Sequence, residues 1–393
     1  MDWLQVLQRI AGGEDEQTEF KEWDGNAEKI ARTMCAMSNG SGGLILIGVA
    51  DDGTIVGVSE EPEAVTEKLT ALLHTGLSAP VSARLRRQQA PGGWVHWLEV
   101  PRNGGPEPLK RGGRVYVRRG RSTVEPSAAD LRDLYNAYGF ILTEEQFVPG
   151  ATVSDLDSEV FRAFLSAQQF DLLSPPQPSL DDDMRNRDVL RDDGGTLRPT
   201  VYGVLCFGRS PQAHRHLTNA KVVMTAFAGR DRAAPVTVTG EALGRVDEQV
   251  ERVEGWMRAL PHRERWEGTR RFEVPLVPPK AIREAIVNAI AHRDYALVGS
   301  PVLLDVFADR LEVTSPGALP NHLTVDAVMA GGVPRSRNEA IANYLAVRGK
   351  MMEKRGRGLP VIRGELRAAG AGEPVLKNDR ESRIVRLTLP FAP

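Results

Sequence analysis

The sequence predicts an α+β protein of several domains, and three observations lead there. At 393 residues the chain is long for a single core, so two or three domains are expected. Its opening segments run strand, helix, hairpin, helix and further strands, an α+β order. The pattern then changes near residues 140 and 275, dividing the chain into 1–140, a 141–275 α/β connector, and 276–393.

The first stretch is read as follows. GEDEQTEFKEW is a short acidic strand, AEKIARTMCAMSN an amphipathic helix, and GGLILIGVADDGTIVGV a β-hairpin turned at Asp52-Gly53. A helix follows across Glu63 to Leu77, then strands at Val81–Leu85 and Trp94–Val100, a turn at Asn103-Gly104-Gly105-Pro106, and a strand at Arg114–Arg118. The helix from Ala128 to Tyr138, capped by Ser127, closes the unit.

In the connector, Leu156 to Phe170 repeats apolar residues at helical spacing, Pro175-Pro176-Gln177-Pro178 with Asp181-Asp182-Asp183 reads as a solvated loop, Thr200 to Phe207 is apolar and compact, Ala220 to Ala228 is a strand and Ala242 to Leu260 a helix. Beyond Pro278 come a helix from Lys280 to His292, strands at Pro301–Phe307 and Arg310–Thr314, the turn Ser315-Pro316-Gly317, and a helix around Glu339–Val347. The glycine-rich run Lys354-Arg355-Gly356-Arg357-Gly358, another helix and the strand Ser382–Leu389 finish the chain.

Composition excludes several classes. No apolar run approaches a membrane span and Met1-Asp2-Trp3-Leu4 opens without a signal-peptide pattern, so a cytoplasmic location is expected. Cys35 and Cys206 sit far apart in apolar segments without CxxC partners, which points to buried thiols rather than zinc or a disulfide. His214-x-His216 is too isolated for a metal site, and neither a GxSxG turn nor a GxxxxGK[ST] loop occurs. A net charge of -2 gives no global pull toward nucleic acid, so any such binding needs a local basic patch.

One such patch lies between Glu107 and Glu125. Lys110, Arg111, Arg114, Arg118, Arg119 and Arg121 surround Tyr116 with no acid among them, and on a strand of period two Arg114, Tyr116 and Arg118 share a face while Val115 and Val117 point inward. Arginines so placed can hold phosphates and a tyrosine can stack on an unpaired base. The competing reading is an edge strand guarded by charge. Earlier in the chain, Glu14, Glu19 and Asp51 fall near strand ends, where three carboxylates would suit Mg²⁺ or Mn²⁺, and Lys21 could stabilise charge building on a phosphate. Solvated surface acids, and a salt bridge for Lys21, are the plainer alternative.

The pattern Glu14-x-x-x-x-Glu19-Phe20-Lys21, Ser38-Asn39-Gly40-x-Gly42-Gly43 and Gly48-Val49-x-Asp51-Asp52-Gly53 resembles the AlbA-type domain of the Schlafen family. The resemblance implies nucleic-acid binding. Carried over from members that cut transfer RNA, it also implies a metal-dependent endonuclease using Glu14, Glu19 and Asp51, with structured RNA favoured over DNA. The alternative is a DNA-binding transcriptional regulator, and a homodimer suits either.

Near the other end, Glu284 and Asn288 share one helical face. That segment resembles the asparagine-bearing helix of the gyrase and histidine-kinase ATPase superfamily, and more closely a divergent ATPase-like module of helicase-related bacterial proteins. This second likeness runs through Ser315-Pro316-Gly317, Pro334-Arg335-x-Arg337-Asn338 and Gly356-Arg357-Gly358. It implies an α/β sandwich that takes ATP at Glu284, Asn288, Gly317, Gly356 and Gly358. Ser315-Pro316-Gly317 offers no aspartate to read the adenine amino group.

Overall fold

The computed structural model describes all residues except 106, 139–141, 169–178, 262, 268, 321–322, 332–335, 349–356 and 393. The chain divides into two compact units, one over Met1–Ile141 with Pro320–Thr324 and the other over Leu142–Leu319 with Val325–Pro393.

In chain order the first unit contains α1 (Trp3–Gly12), β1 (Thr18–Lys21), α2 (Glu28–Asn39), β2 (Gly43–Ile47), α3 (Pro62–Thr75), β3 (Arg84–Ala90), β4 (Gly93–Val100), β5 (Val117–Arg119), β6 (Ser122–Val124) and α4 (Ala128–Ala137). Its main sheet has the order β1-β2-β4-β3, with β1 parallel to β2 and the other pairs antiparallel. Because β2 is interior and covered on both faces, it reads as a continuous apolar run. Leu44 and Leu46 pack with Val6 of α1, whereas Ile45 and Ile47 pack with Met34 of α2 and Leu69 of α3.

The helix α1 lies outside the sequence expectation, although Asp2 and Gln5 form a capping box at its start. The hairpin expected after β2 turns at Asp52-Gly53 and is short: Gly53 N–H donates to the Ala50 carbonyl, Ala50 N–H to the Thr54 carbonyl and Val56 N–H to the Gly48 carbonyl, around one isolated bridge, Val49 to Ile55. Gly42 is obligatory before β2. Its φ is +80°, and a Cβ there would stand 2.6 Å from the Val100 carbonyl oxygen.

The second unit contains α5 (Ser158–Ala167), α6 (Leu180–Asn186), β7 (Leu190–Asp193), β8 (Thr196–Pro199), α7 (Val201–Phe207), β9 (Val222–Phe227), β10 (Val236–Ala242), α8 (Val246–Ala259), β11 (Arg263–Glu267), β12 (Arg270–Val274), α9 (Pro279–Ala291), β13 (Val302–Val306), β14 (Arg310–Pro316), α10 (Val325–Ala330), α11 (Glu339–Arg348), α12 (Gly358–Ala368), β15 (Val375–Asp379) and β16 (Ile384–Pro390). A six-stranded mixed sheet runs β10-β9-β13-β14-β16-β15.

That order changes the expected division. The strands β9 and β10 belong to 141–275, yet β9 pairs in parallel with β13 from beyond residue 276. One apolar core joins Phe161, Val222 and Val250 to Ile286, Leu304 and Leu389. The boundary expected near 275 therefore falls inside one unit. Asp181, Asp182 and Asp183 form the first turn of α6 instead of a loop, where Ser179 caps the helix and the dipole favours acids. Pro175 to Pro178 lie outside the described residues. Both cysteines are buried and free, and burial pushes the Cys35 thiol up to about 11.

Candidate functional site

In the first unit, β1 forms an edge of the main sheet and carries Glu19 and Lys21. Glu19, only 5% exposed, lies between two cations: Lys21 Nζ is 2.5 Å from Oε1, and Arg118 donates through Nη1 to Oε2 at 2.7 Å. Arg118, 7% exposed, also donates to the Asp15 carbonyl at 2.9 Å and to Thr123 Oγ1 at 3.1 Å. Glu14 caps the start of the strand by accepting the Phe20 N–H at 2.8 Å. Asp51 is exposed in the turn after β2. Among the described residues, no three or more His, Cys, Asp or Glu side chains form a group that could hold a metal.

The expected positive face is also different. The strand there spans Val117–Arg119, and residues 115 to 118 are buried without alternation. Val115 and Val117 pack against Leu134 of α4, whereas Tyr116 enters the core beside α2 with Arg32 over its ring. Covered on both sides, the ribbon cannot offer Tyr116 or Arg118 to a ligand. Period-two reasoning supplied the inward valines but assumed an open opposite face.

Most of the other cations have internal partners. Arg111 donates to Glu28 at 2.8 Å and to the Gly76 carbonyl at 2.7 Å, and its guanidinium holds Glu28 below the usual carboxylate range. Arg114 is exposed and meets Glu125 at 2.7 Å, Arg119 pairs with Asp130, and Lys110 lies 3.6 Å from Glu107. Arg121 is exposed at the β5–β6 turn with no partner among the described residues. Lys21 retains 23% side-chain exposure, and its ammonium donates to the Phe20 carbonyl besides pairing with Glu19. Sequence reasoning passed over Arg84 and Arg86, exposed on the edge strand β3; the arginines in RLRRQQ were the available signal.

Asn39 fastens this ribbon. Its Nδ2 donates to the Leu109 and Tyr116 carbonyls and its Oδ1 accepts the Leu109 N–H, so one buried side chain replaces a missing backbone partner.

In the second unit, α9 positions Glu284 and Asn288 one turn apart, with Asn288 Nδ2 donating to Glu284 Oε1 at 3.2 Å. The first residue of α12 meets them. A Cβ on Gly358 would overlap the Glu284 carboxylate and stand 2.6 Å from Asn288 Nδ2. Gly317, with φ +110°, packs instead against Asp294 and Arg337, and its N–H donates to the Arg383 carbonyl. Gly356 lies outside the described residues, as do Pro334 and Arg335.

Asp294 is fully buried and accepts from Arg383 at 2.9 Å, with Arg337 at 3.8 Å. Asn338 donates to the Ala291 and Arg293 carbonyls, locking the start of α11 onto the end of α9. Glu144 accepts the Ala340 and Ile341 N–H groups of the same helix, both at 3.1 Å. Burial pushes its carboxyl up to about 7 despite those bonds. No sequence pattern announces this contact across 196 residues.

Comparison with known proteins adds two family matches. Residues 14–127 match the family described as "Schlafen, AlbA_2", and residues 299–389 match "Putative ATP-dependent DNA helicase recG C-terminal". No curated protein gives a significant match. Among solved structures, the DIP2311 protein from Corynebacterium diphtheriae is 20% identical over 99% of this chain and 80% of its own, with a TM-score of 0.48. The N-terminal domain of a RecG-related protein from Nitrosomonas europaea is 19% identical over 32% of this chain and 90% of its own, with a TM-score of 0.26. The chain thus joins an amino-terminal Schlafen AlbA_2 domain to a carboxy-terminal domain of the recG C-terminal type.

Proposed function

We propose that this protein binds nucleic acid through its first unit and responds to a nucleotide through its second. The similarity of residues 14–127 to Schlafen AlbA_2 domains and of residues 299–389 to the carboxy-terminal region of recG-type DNA helicases supports the first half. The observation that carries it is the state of Lys21. Its ammonium has three donors, of which two are directed to Glu19 and the Phe20 carbonyl, leaving one for a phosphate oxygen. Arg118 draws the β5–β6 ribbon to the same strand, and that ribbon ends in the free guanidinium of Arg121. Two such cations hold a sugar-phosphate backbone without reading bases.

The geometry supports binding better than cleavage. An endonuclease using Glu14, Glu19 and Asp51 requires carboxylates open to an ion, and Glu19 is engaged on both oxygens. Fluorescence anisotropy with labelled transfer RNA, single-stranded DNA and duplex DNA tests the reading. Arg121→Ala and Lys21→Ala should weaken binding alike across sequences and lower the salt slope by about 0.9 per lost contact. Failure of the intact chain to bind any of the three would retire it.

A second site is favoured by the convergence of Glu284, Asn288 and Gly358. The residues fit the phosphate end of a nucleotide such as ATP: Asn288 would hold its Mg²⁺ and Glu284 would orient water, while the glycine permits close approach at the α12 terminus. At the adenine end, Ser315 spends its hydroxyl on the Ala289 carbonyl and Asp294 is taken by arginines, so base selectivity should be low.

A further inference from the structure

A divalent-ion site in the first unit would depend on Glu19, the best enclosed of the three acids. Both of its oxygens are held by cations, at 2.5 Å from Lys21 and 2.7 Å from Arg118. Glu14 spends one oxygen on a backbone N–H, and Asp51 stands exposed in a turn. Mg²⁺ and Mn²⁺ need several oxygen ligands in near-octahedral array. To obtain Glu19, such an ion would have to expel a guanidinium that is buried and bonded to the Asp15 carbonyl and Thr123, leaving those acceptors unpaired.

We infer that Arg118 is a built-in substitute for the metal, so the first unit engages nucleic acid without a divalent ion. The guanidinium supplies what the ion would otherwise give this carboxylate, charge neutralisation and a fixed orientation, and it does so permanently. With Glu19 neutralised by Arg118, the charge of Lys21 remains available to a phosphate. Arg118 is a positioning residue here, since it touches Glu19 and the strand beneath it rather than the ligand.

This inference rests on the nucleic-acid reading only for its consequence; the ion claim is tested on the protein alone. Mn²⁺ is titrated into the full chain and into Glu19→Gln and Asp51→Asn, and bound ion is counted by electron paramagnetic resonance. Asp51 is exposed, so its variant folds even if Glu19→Gln does not. Equal Mn²⁺ uptake by the three proteins is the expected result, any uptake at the second unit being common to all. One equivalent bound by the parent chain and missing from Asp51→Asn would overturn the inference.

Discussion

Glu144 shows how much one side chain can hold. It caps α11 from a distant point in the chain, yet burial keeps its proton on to about pH 7, against a usual value of 4.5. Between these two values the folded chain binds a proton that the unfolded chain has released, so stability from this group is present at low pH and lost as pH rises through the window. The full span amounts to at most about 3 kcal/mol. Glu144→Gln should flatten the fall in urea midpoint between pH 5 and pH 7.5; an unchanged slope would show that Glu144 titrates normally. The motif containing Asn39 was visible in the sequence, but its role as a surrogate backbone was not, because its partners Leu109 and Tyr116 are some seventy residues away. Arg118 was visible only as a cation. Whether a cation meets solvent or a buried acid depends on what packs over the strand.

At the scale of elements, local pattern placed most helices to within a few residues, since an apolar stripe and caps are local signals. The helix α9 was expected over Lys280 to His292 and spans Pro279–Ala291. Short strands such as β7, β8, β10 and β15 were missed, although each pairs with its neighbour in sequence and Gly194-Gly195 marks the β7–β8 turn. The approach of α12 to α9 at Gly358 has a direct test. The atoms that a methyl group at 358 would meet are the ends of the Glu284 and Asn288 side chains, which can move. Gly358→Ala should therefore leave the melting temperature without ligand within about 2 °C while abolishing the stabilisation conferred by ATP and Mg²⁺. Equal ATP stabilisation in both proteins would remove Gly358 from the nucleotide site.

For the whole molecule, the sequence foretold α+β architecture and the two family likenesses at its ends, but divided the interior wrongly. Residues 141–275 looked like a connector because the second partner of β9 is β13, which lies beyond residue 300 in the sheet that β9 and β10 extend. No helix among the described residues is long and apolar enough to cross a membrane. A chain of net charge -2 must concentrate its attraction for a polyanion locally, so binding should be sensitive to salt and indifferent to chelation. The most direct measurement is the affinity of the intact chain for labelled nucleic acid from 50 to 200 mM salt, with EDTA and with Mn²⁺. The account predicts a linear fall of log affinity with log salt that is the same in both series. Binding that appears only with Mn²⁺, or cleavage of the probe when Mn²⁺ is added, would contradict it.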